Sequence, residues 1–440
     1  MRNKYFLFIT YLHFFVIITL SFGITTSKAQ ELLSLEQTIE KAIDANLALM
    51  STKEQTKAAE ALKNAQRARF FPSLSANYEY VRHDEERRII GFGVTRPEEE
   101  YAFSAKLKQP IFTGFSLTNR YKIAEIGLDV AKVNEKLTRQ DIILEAKIRY
   151  YLLLKAQKLL AIAKDTVKQI SAQKEVARNF YQVGMTPLND LLQSQVELAN
   201  ANQEMIVARN NLENAESDFN LLLRRSLNTP VQIRDILTYT PVKKKLDECI
   251  SAAEQNRPEL IIAKLEVERA QKEIELSRTE YYPTISLEGT YFRQGVEWYV
   301  DGGEGIIAPD GWDISAVASW TFWEWGKSSY GVKEKLSRLS QAKLQQKDII
   351  DNIHLEVKKA YLRALEAERA ILTVEKAIEQ AKENFRINEE RYKEQVATAT
   401  DVLDAQTLLS RTMTNYYSAL YEFKIAKASL YRAMGQELME

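Results

Sequence analysis

The residues equipped for chemistry are few in this 440-residue chain. Cys249 is the one cysteine, and His83 and His354 are the histidines outside the first thirty residues. They are too scattered for a Cys/His metal site, and no nucleophile, base and orienting acid fall into a catalytic constellation. No cofactor is implied, and an enzyme is the least expected reading. The acidic positions with suggestive spacing are Asp401 and Asp404, three apart and so neighbours on one helix face. A local reason for the first is available: Thr400 as N-cap, with acids favoured in a first turn by the helix dipole. It is weaker for Asp404, whose counterpart in the other half of the chain is Gln193. With 60 Lys+Arg against 60 Asp+Glu, the formal net charge is zero, which argues against a nucleic-acid binder working by bulk electrostatics.

The elements that position these residues occur twice. Phe70-Phe71-Pro72-Ser73-Leu74-Ser75 is answered by Tyr281-Tyr282-Pro283-Thr284-Ile285-Ser286, 211 residues later. The same offset links Leu35 to Leu246, Glu145 to Glu356, Tyr150 to Tyr361, Tyr181 to Tyr392, Asp190 to Asp401 and Gln195 to Gln406. Length alone would suggest about three domains, but the constant offset means two copies of one unit. The copies are read as 30–225 and 246–435, with a linker 226–245 and a tail 436–440. Before them, Arg2 and Lys4, an apolar run from Tyr5 to Phe22, and Ser27-Lys28-Ala29 form a secretory signal cleaved after residue 29. No cysteine follows the cut to carry a lipid, and no later apolar run is long enough for a spanning helix.

Each copy opens with a helical stretch (35–70, and 246–282) and passes into a β-hairpin (72–111, and 283–323). After Pro72, Leu74, Ala76, Tyr78 and Tyr80 alternate with Ser73, Ser75, Asn77 and Glu79. Beyond a polar loop, Phe103, Ala105 and Leu107 alternate with Ser104, Lys106 and Lys108. The second copy does the same with Ile285, Leu287 and Gly289, and then Ile314, Ala316, Ala318 and Trp320. Period two over about ten residues is the pattern of a tilted strand crossing a bilayer. Four strands cannot close a barrel alone, and open edges are not tolerated in lipid. A dimer would supply eight strands and a trimer twelve. Periodicity does not choose between them.

Aromatic residues gather where the strands meet the helices: Phe70, Phe71, Phe112 and Phe115 in the first copy, Tyr281, Tyr282, Trp320, Trp323 and Trp325 in the second. Rings at headgroup depth are expected of membrane barrels, although aromatics also favour strands in general. Behind each hairpin runs a helix over 116–182 and over 327–393, with shorter returning helices over 188–225 and 400–434. Ile123, Ile126, Val130, Val133 and Leu137 mark a coiled-coil seam in the first rod; Ile371, Val374, Ile378, Ala381 and Phe385 mark one in the second.

With the plan in view, the turn motifs identify the chain as resembling the TolC family of outer-membrane efflux channels. They are Tyr181-Gln-Val-Gly184-Met-Thr-Pro-Leu-Asn189-Asp190-Leu-Leu192 and Tyr392-Lys-Glu-Gln-Val-Ala-Thr-Ala-Thr400-Asp401-Val-Leu403-Asp404-Ala-Gln406. The resemblance covers about 35–435. It implies an α+β membrane protein in the outer membrane of a Gram-negative bacterium. In that fold a homotrimer shares a β-barrel, four strands per protomer, and long coiled-coil helices form a periplasmic α-barrel. It implies a passive exit duct of a tripartite efflux or type I secretion system. Its partners would be outer-membrane lipid, a periplasmic adaptor, and an inner-membrane efflux pump or ABC exporter. Carried over residue by residue, Asp401 and Asp404 would ring the pore constriction, and Tyr392 with Asp190, beside Asn189, would latch the gate. Val183, Gly184, Met185, Pro187, Leu188, Val396 and Ala397 would form the adaptor-docking tip. There are two departures: Ala397 stands where the family's best-known members have arginine, and Gln395 stands where its signature has glycine. The first implies a missing latch and the second leaves that turn's shape open. A non-conducting scaffold spanning the periplasm, anchored by the hairpins, is the other reading of the pattern.

Overall fold

The structure, a computed structural model, describes residues 32–236 and 240–437; the signal at 1–29 and the last three residues of the tail lie outside these. Among the described residues no helix is long and apolar enough to cross a membrane.

The first copy begins with β1 (Leu32–Leu33), α1 (Leu35–Ala45) and α2 (Leu47–Ala68). The single helical stretch expected over 35–70 is therefore two helices. Asn46 takes an extended conformation (φ −76°, ψ 119°) and its side chain accepts from the Leu49 amide at 3.1 Å. It ends one helix and caps the next. In the second copy α5 (Leu246–Asn256) and α6 (Pro258–Arg278) part in the same way at Arg257 (φ −66°, ψ 118°), because a residue before proline is driven out of the helical region. The buried Arg257 guanidinium then donates to both oxygens of Glu356, at 3.1 and 2.8 Å.

The strands are β2 (Ser73–Arg82), β5 (Glu99–Phe112), β7 (Thr284–Gly295) and β8 (Asp310–Ser319), in one antiparallel sheet of order β2-β5-β7-β8. The β5–β7 ladder joins the two copies by main-chain hydrogen bonds. β8 stops at Ser319, so Trp320 lies just beyond the strand expected to contain it. The loop after β2 is not merely polar: it folds into a small hairpin, β3 (Arg87–Ile89) and β4 (Gly93–Arg96).

Register sorts the side chains into two faces. Leu74 pairs with Leu107, Ala76 with Ala105, Tyr78 with Phe103 and Tyr80 with Tyr101. Further along, Leu287 pairs with Ala316, Gly289 with Ile314 and Tyr291 with Trp312. Among the described residues this face is largely uncovered; Leu74 is 76% exposed and Trp312 73%. The opposite face carries Ser73, Ser75, Asn77, Ser104, Lys106 and Lys108, and there both lysines bind Glu288, at 2.5 and 2.9 Å. One apolar face, one polar face and free edges on β2 and β8 are the makings of a barrel wall, with lipid outside and water inside.

At the foot of the sheet the chain turns into α3 (Ser116–Gln182) and α7 (Lys327–Lys393) through paired left-handed residues, Gly114-Phe115 and Trp325-Gly326. A Cβ on Gly114 would meet the Thr279 carbonyl at 2.8 Å. Around these turns the aromatics stack edge to face: Phe112 on Phe115 (5.4 Å), Phe115 on Tyr282 (5.9 Å) and Trp323 on Trp325 (5.7 Å). Trp320 donates its indole N–H to the Tyr281 carbonyl at 3.3 Å.

α3 and α7 are each 67 residues long, about 100 Å at 1.5 Å per residue. α4 (Leu188–Leu222) and α8 (Ala399–Ala433) return along them. The stretch between the copies is less a linker than a belt. Its β6 (Gln232–Ile233) pairs in parallel with β1, and the buried Tyr150 hydroxyl donates to the Leu33 and Arg234 carbonyls. Tyr150, Leu153, Phe219, Ile233 and Tyr421 form the largest apolar core at this waist.

Candidate functional site at the helix tips

The two turns far from the sheet close with matching geometry. In the first, the Gly184 and Met185 amides donate to the Tyr181 and Phe180 carbonyls (3.0 and 2.8 Å). In the second, the Gln395 and Val396 amides donate to the Tyr392 and Arg391 carbonyls (3.0 and 2.9 Å). Both are helix ends closed by a left-handed residue. Gly184 has φ +77° and Gln395 has φ +62°, so glutamine occupies the conformation that glycine takes in the other copy. The turn keeps its shape at the expense of backbone strain. The Gln395 amide also reaches across to the Met185 sulfur at 3.8 Å.

The returning helices start differently. Thr398, not Thr400, is the N-cap of α8. Its amide and hydroxyl donate to Asp401 Oδ2, both at 2.8 Å, and its oxygen accepts from the Asp401 amide at 3.3 Å, a complete capping box. Those bonds, led by the one from the backbone amide, hold the Asp401 carboxyl below the usual aspartate range. Thr400 is freed to donate to Gln193 Oε1 at 2.8 Å, tying α8 to α4. Asp401 and Asp404 are both exposed, one helical turn apart. In the first copy the N-cap of α4 is Pro187, which has no side chain able to cap. Thr186 donates to Asp190 Oδ2 at 2.7 Å instead, and Asn189 stands exposed beside it.

The Tyr392–Asp190 hydrogen bond implied by the resemblance is not made within this chain. Tyr392 is 3% exposed; its hydroxyl makes no hydrogen bond to Asp190, and its polar neighbour is Thr186. Burial first, and then the charge of Asp190, push its pKa up. The carboxylate is engaged by Thr186, and the Tyr392 ring packs on Phe180 (5.6 Å) with Ala399 and Val402. Ala397 joins that apolar cluster. The polar ties between the tips are Thr400 to Gln193 and the longer Gln395–Met185 contact, backed by a 2.6 Å contact between the Thr166 and Ser410 hydroxyls further along α3 and α8. None was expected from sequence. The one available signal was that Gln193 replaces the acid found at the repeat-related position, Asp404.

The outermost surface of the tips is apolar and open: Val183 is 67% exposed and Val396 62%, with Met185 and Leu188 beside them. Ala397 is half-buried, and Gly184 and Pro187 are exposed. Among the described residues no group of His, Cys, Asp and Glu could hold a metal ion.

This architecture recurs in known proteins. The chain is 20% identical over 420 residues to the outer membrane protein TolC of Salmonella enteritidis, covering 93% of this chain and 83% of that one. It superposes on the crystal structure of CusC with a TM-score of 0.79 at 15% identity, covering 95% and 96% of the two chains. With the CmeC outer membrane channel of Campylobacter jejuni the TM-score is 0.79 at 14% identity, covering 91% and 85%. The model of the outer membrane efflux protein family matches residues 38–223 and 249–436, nearly all of both copies. The chain belongs to that family: it is an α+β outer-membrane efflux channel of a Gram-negative cell.

Proposed function

We propose that the chain is the passive exit duct of a tripartite efflux or type I secretion system. In this reading a homotrimer closes a twelve-stranded barrel through the free edges of β2 and β8. The periplasmic helices form the tunnel, and a periplasmic adaptor and an inner-membrane transporter dock at the tips. The protein catalyses nothing; energy comes from the inner-membrane partner. The observation that carries the reading is one rigid plan: an open, two-faced sheet continuous with 67-residue helices that end in exposed apolar turns.

The tip would be the gate. Asp401 and Asp404 from three protomers would place six carboxylates around one axis, which attract and select cations. Tyr392 and Asp190 would latch in an assembled or partner-bound state in which Thr186 releases the carboxylate. Val183, Met185, Leu188 and Val396 would meet the adaptor, since exposed apolar groups clustered at a rod tip call for a partner.

The test is single-channel current from the purified protein in a planar bilayer, titrated with a trivalent cation from the tip side. Cation-selective openings blocked by the titrant are expected. An oligomer that inserts and yet passes no current, with or without its adaptor, would overturn the duct in favour of a scaffold.

A further inference from the structure

The strands of the two copies match closely, apart from one end. β5 spans Glu99–Phe112, and the repeat-related span, 211 residues on, is Asp310–Trp323. β8 does begin at Asp310, but it ends at Ser319, four residues short. Trp320, Thr321, Phe322 and Trp323 have no regular structure. The difference lies in their partners. The last residues of β5 lie past the end of its ladder with β2, which closes at Ser73 with Lys108. β7 holds them from the other side: Gln109 pairs with Leu287, Pro110 with Ser286 and Phe112 with Ile285, the register shifting across Ile111. The ladder between β7 and β8 closes in the same way, at Thr284 with Ser319. On the far side of β8, however, no strand lies among the described residues, so no main-chain partner holds 320–323 extended.

We propose that Trp320–Trp323 is an assembly segment. It becomes the end of β8 when β2 of a second copy of this chain docks on that edge, in the register that β5 keeps with β7. The inference rests on the reading that copies of the chain close the barrel; what it adds is the segment that changes and the residues it meets.

The register follows from the repeat, because β8 is the counterpart of β5 and β2 that of β7. Carrying the internal ladder over by 211 on both strands sets Trp320 opposite the partner's Ala76 and Thr321 opposite the partner's Ser75. Trp323 then faces the partner's Leu74, with Phe322 at the register shift. Continued into β8, it sets Ala318 opposite the partner's Tyr78 and Ala316 opposite the partner's Tyr80. Large residues thus meet small ones along the apolar face, and such cross-strand pairs are what stabilise a sheet. A slip of two residues would set Ala318 against the partner's Ala76, or Trp320 against the partner's Tyr78, and large and small would no longer interleave. Both surfaces are open in the single chain: Phe322 is 78% exposed, Trp323 68% and Leu74 76%. An unpaired apolar edge is not tolerated in lipid. The neighbour therefore completes the strand.

The experiment uses the full-length chain in outer membranes, with paired cysteines, a mild oxidant, and covalent oligomers on a denaturing gel as readout. β2 and β8 are the two outer strands of the sheet, so a link between them joins two copies. Cys249 is buried and stays out of the reaction. Thr321→Cys with Ser75→Cys sets two thiols on directly opposed residues, about 4.5–5.5 Å apart at Cα and within disulfide reach. That pair should link about ten-fold faster, or more, than Thr321→Cys with Ser73→Cys or with Asn77→Cys, two residues out of register in either direction. Native oligomer bands before oxidation show that each variant assembles. Faster linking in a shifted pair would overturn the register. Conducting oligomers that link none of the three pairs would overturn the segment's role and leave the duct standing. A wild-type chain that stays monomeric in membranes would overturn both. Hydrogen exchange on the unsubstituted oligomer needs no variant: the peptide covering 320–323 should hold slowly exchanging amides, and uniformly fast exchange there would overturn the proposal.

Discussion

If the Thr400–Gln193 bond holds the tips together, Thr400→Val should loosen them. The substitution keeps the β-branched shape and removes one hydroxyl, and it leaves the N-cap, Thr398, untouched. The lost contact is a neutral hydrogen bond of 2.8 Å in a half-buried setting. Gln193 can recover a water partner, so the net loss is about 0.5–1.5 kcal/mol per protomer. If three tips part independently, each open fraction rises about two- to ten-fold. If they part together, the losses sum to about 1.5–4.5 kcal/mol, and the open-to-closed ratio rises between about ten-fold and about a thousand-fold. The assay is open probability of the isolated channel in a planar bilayer, with Thr400→Ser, which restores the hydroxyl, as the control. Susceptibility of cells to large antibiotics reports the same leak. An open probability within two-fold of wild type, or a serine variant as leaky as the valine one, would refute the view that this bond closes the tip.

Tyr392→Phe should raise open probability less than Thr400→Val does, because the Tyr392 hydroxyl does not bond Asp190 in this structure, whose carboxylate accepts from Thr186. A larger leak than that of Thr400→Val in the same bilayer assay would show that the Tyr392–Asp190 latch forms in the assembled channel. Asp401→Ala with Asp404→Ala should weaken block by multivalent cations more than it changes conductance, read from single-channel titrations; unchanged block would remove both from the constriction. Asp401 is also a pH reporter. Its pKa is depressed in the folded chain by Thr398, so its contribution to the start of α8 is present above the ordinary aspartate pKa and is lost as pH falls through the depressed value. Protection from hydrogen exchange at the first turn of α8, taken relative to the intrinsic amide rate at each pH, should therefore fall only under acidic conditions, and a loss of protection already at neutral pH would contradict the capping box. Gln395→Gly should relieve the left-handed strain and stabilise the second turn by about 0.5–1 kcal/mol, the strain less the entropy that glycine adds to the unfolded chain. Slower exchange at Val396 would show it, and faster exchange would refute it.

The plan of this molecule is written in repetition and periodicity. The 211-residue offset seen in Pro72 and Pro283 is also the offset between the starts of α3 and α7 and between those of α4 and α8. Period two marks the strands, and three-four spacing marks the rods, because side-chain direction in a strand or helix follows from the backbone alone. The breaks at Asn46 and Arg257 were within reach too, since asparagine caps helices and Pro258 forbids helix at the residue before it. Thr398 as the cap of α8 was legible, since Asp401 stands three residues after it where Leu403 follows Thr400; reading Thr400 as the cap overlooked that spacing. What else the chain does at its tip was less accessible. Sequence does not say that Thr400 finds Gln193, more than two hundred residues away. That depends on how the long helices pack, and a small shift in packing decides whether a hydroxyl meets an amide or a methyl group. The sequence alone determined the elements, their order and their amphipathic faces; the tertiary packing decided which polar groups are partnered, because hydrogen bonds between distant segments exist only once the helices have been set side by side.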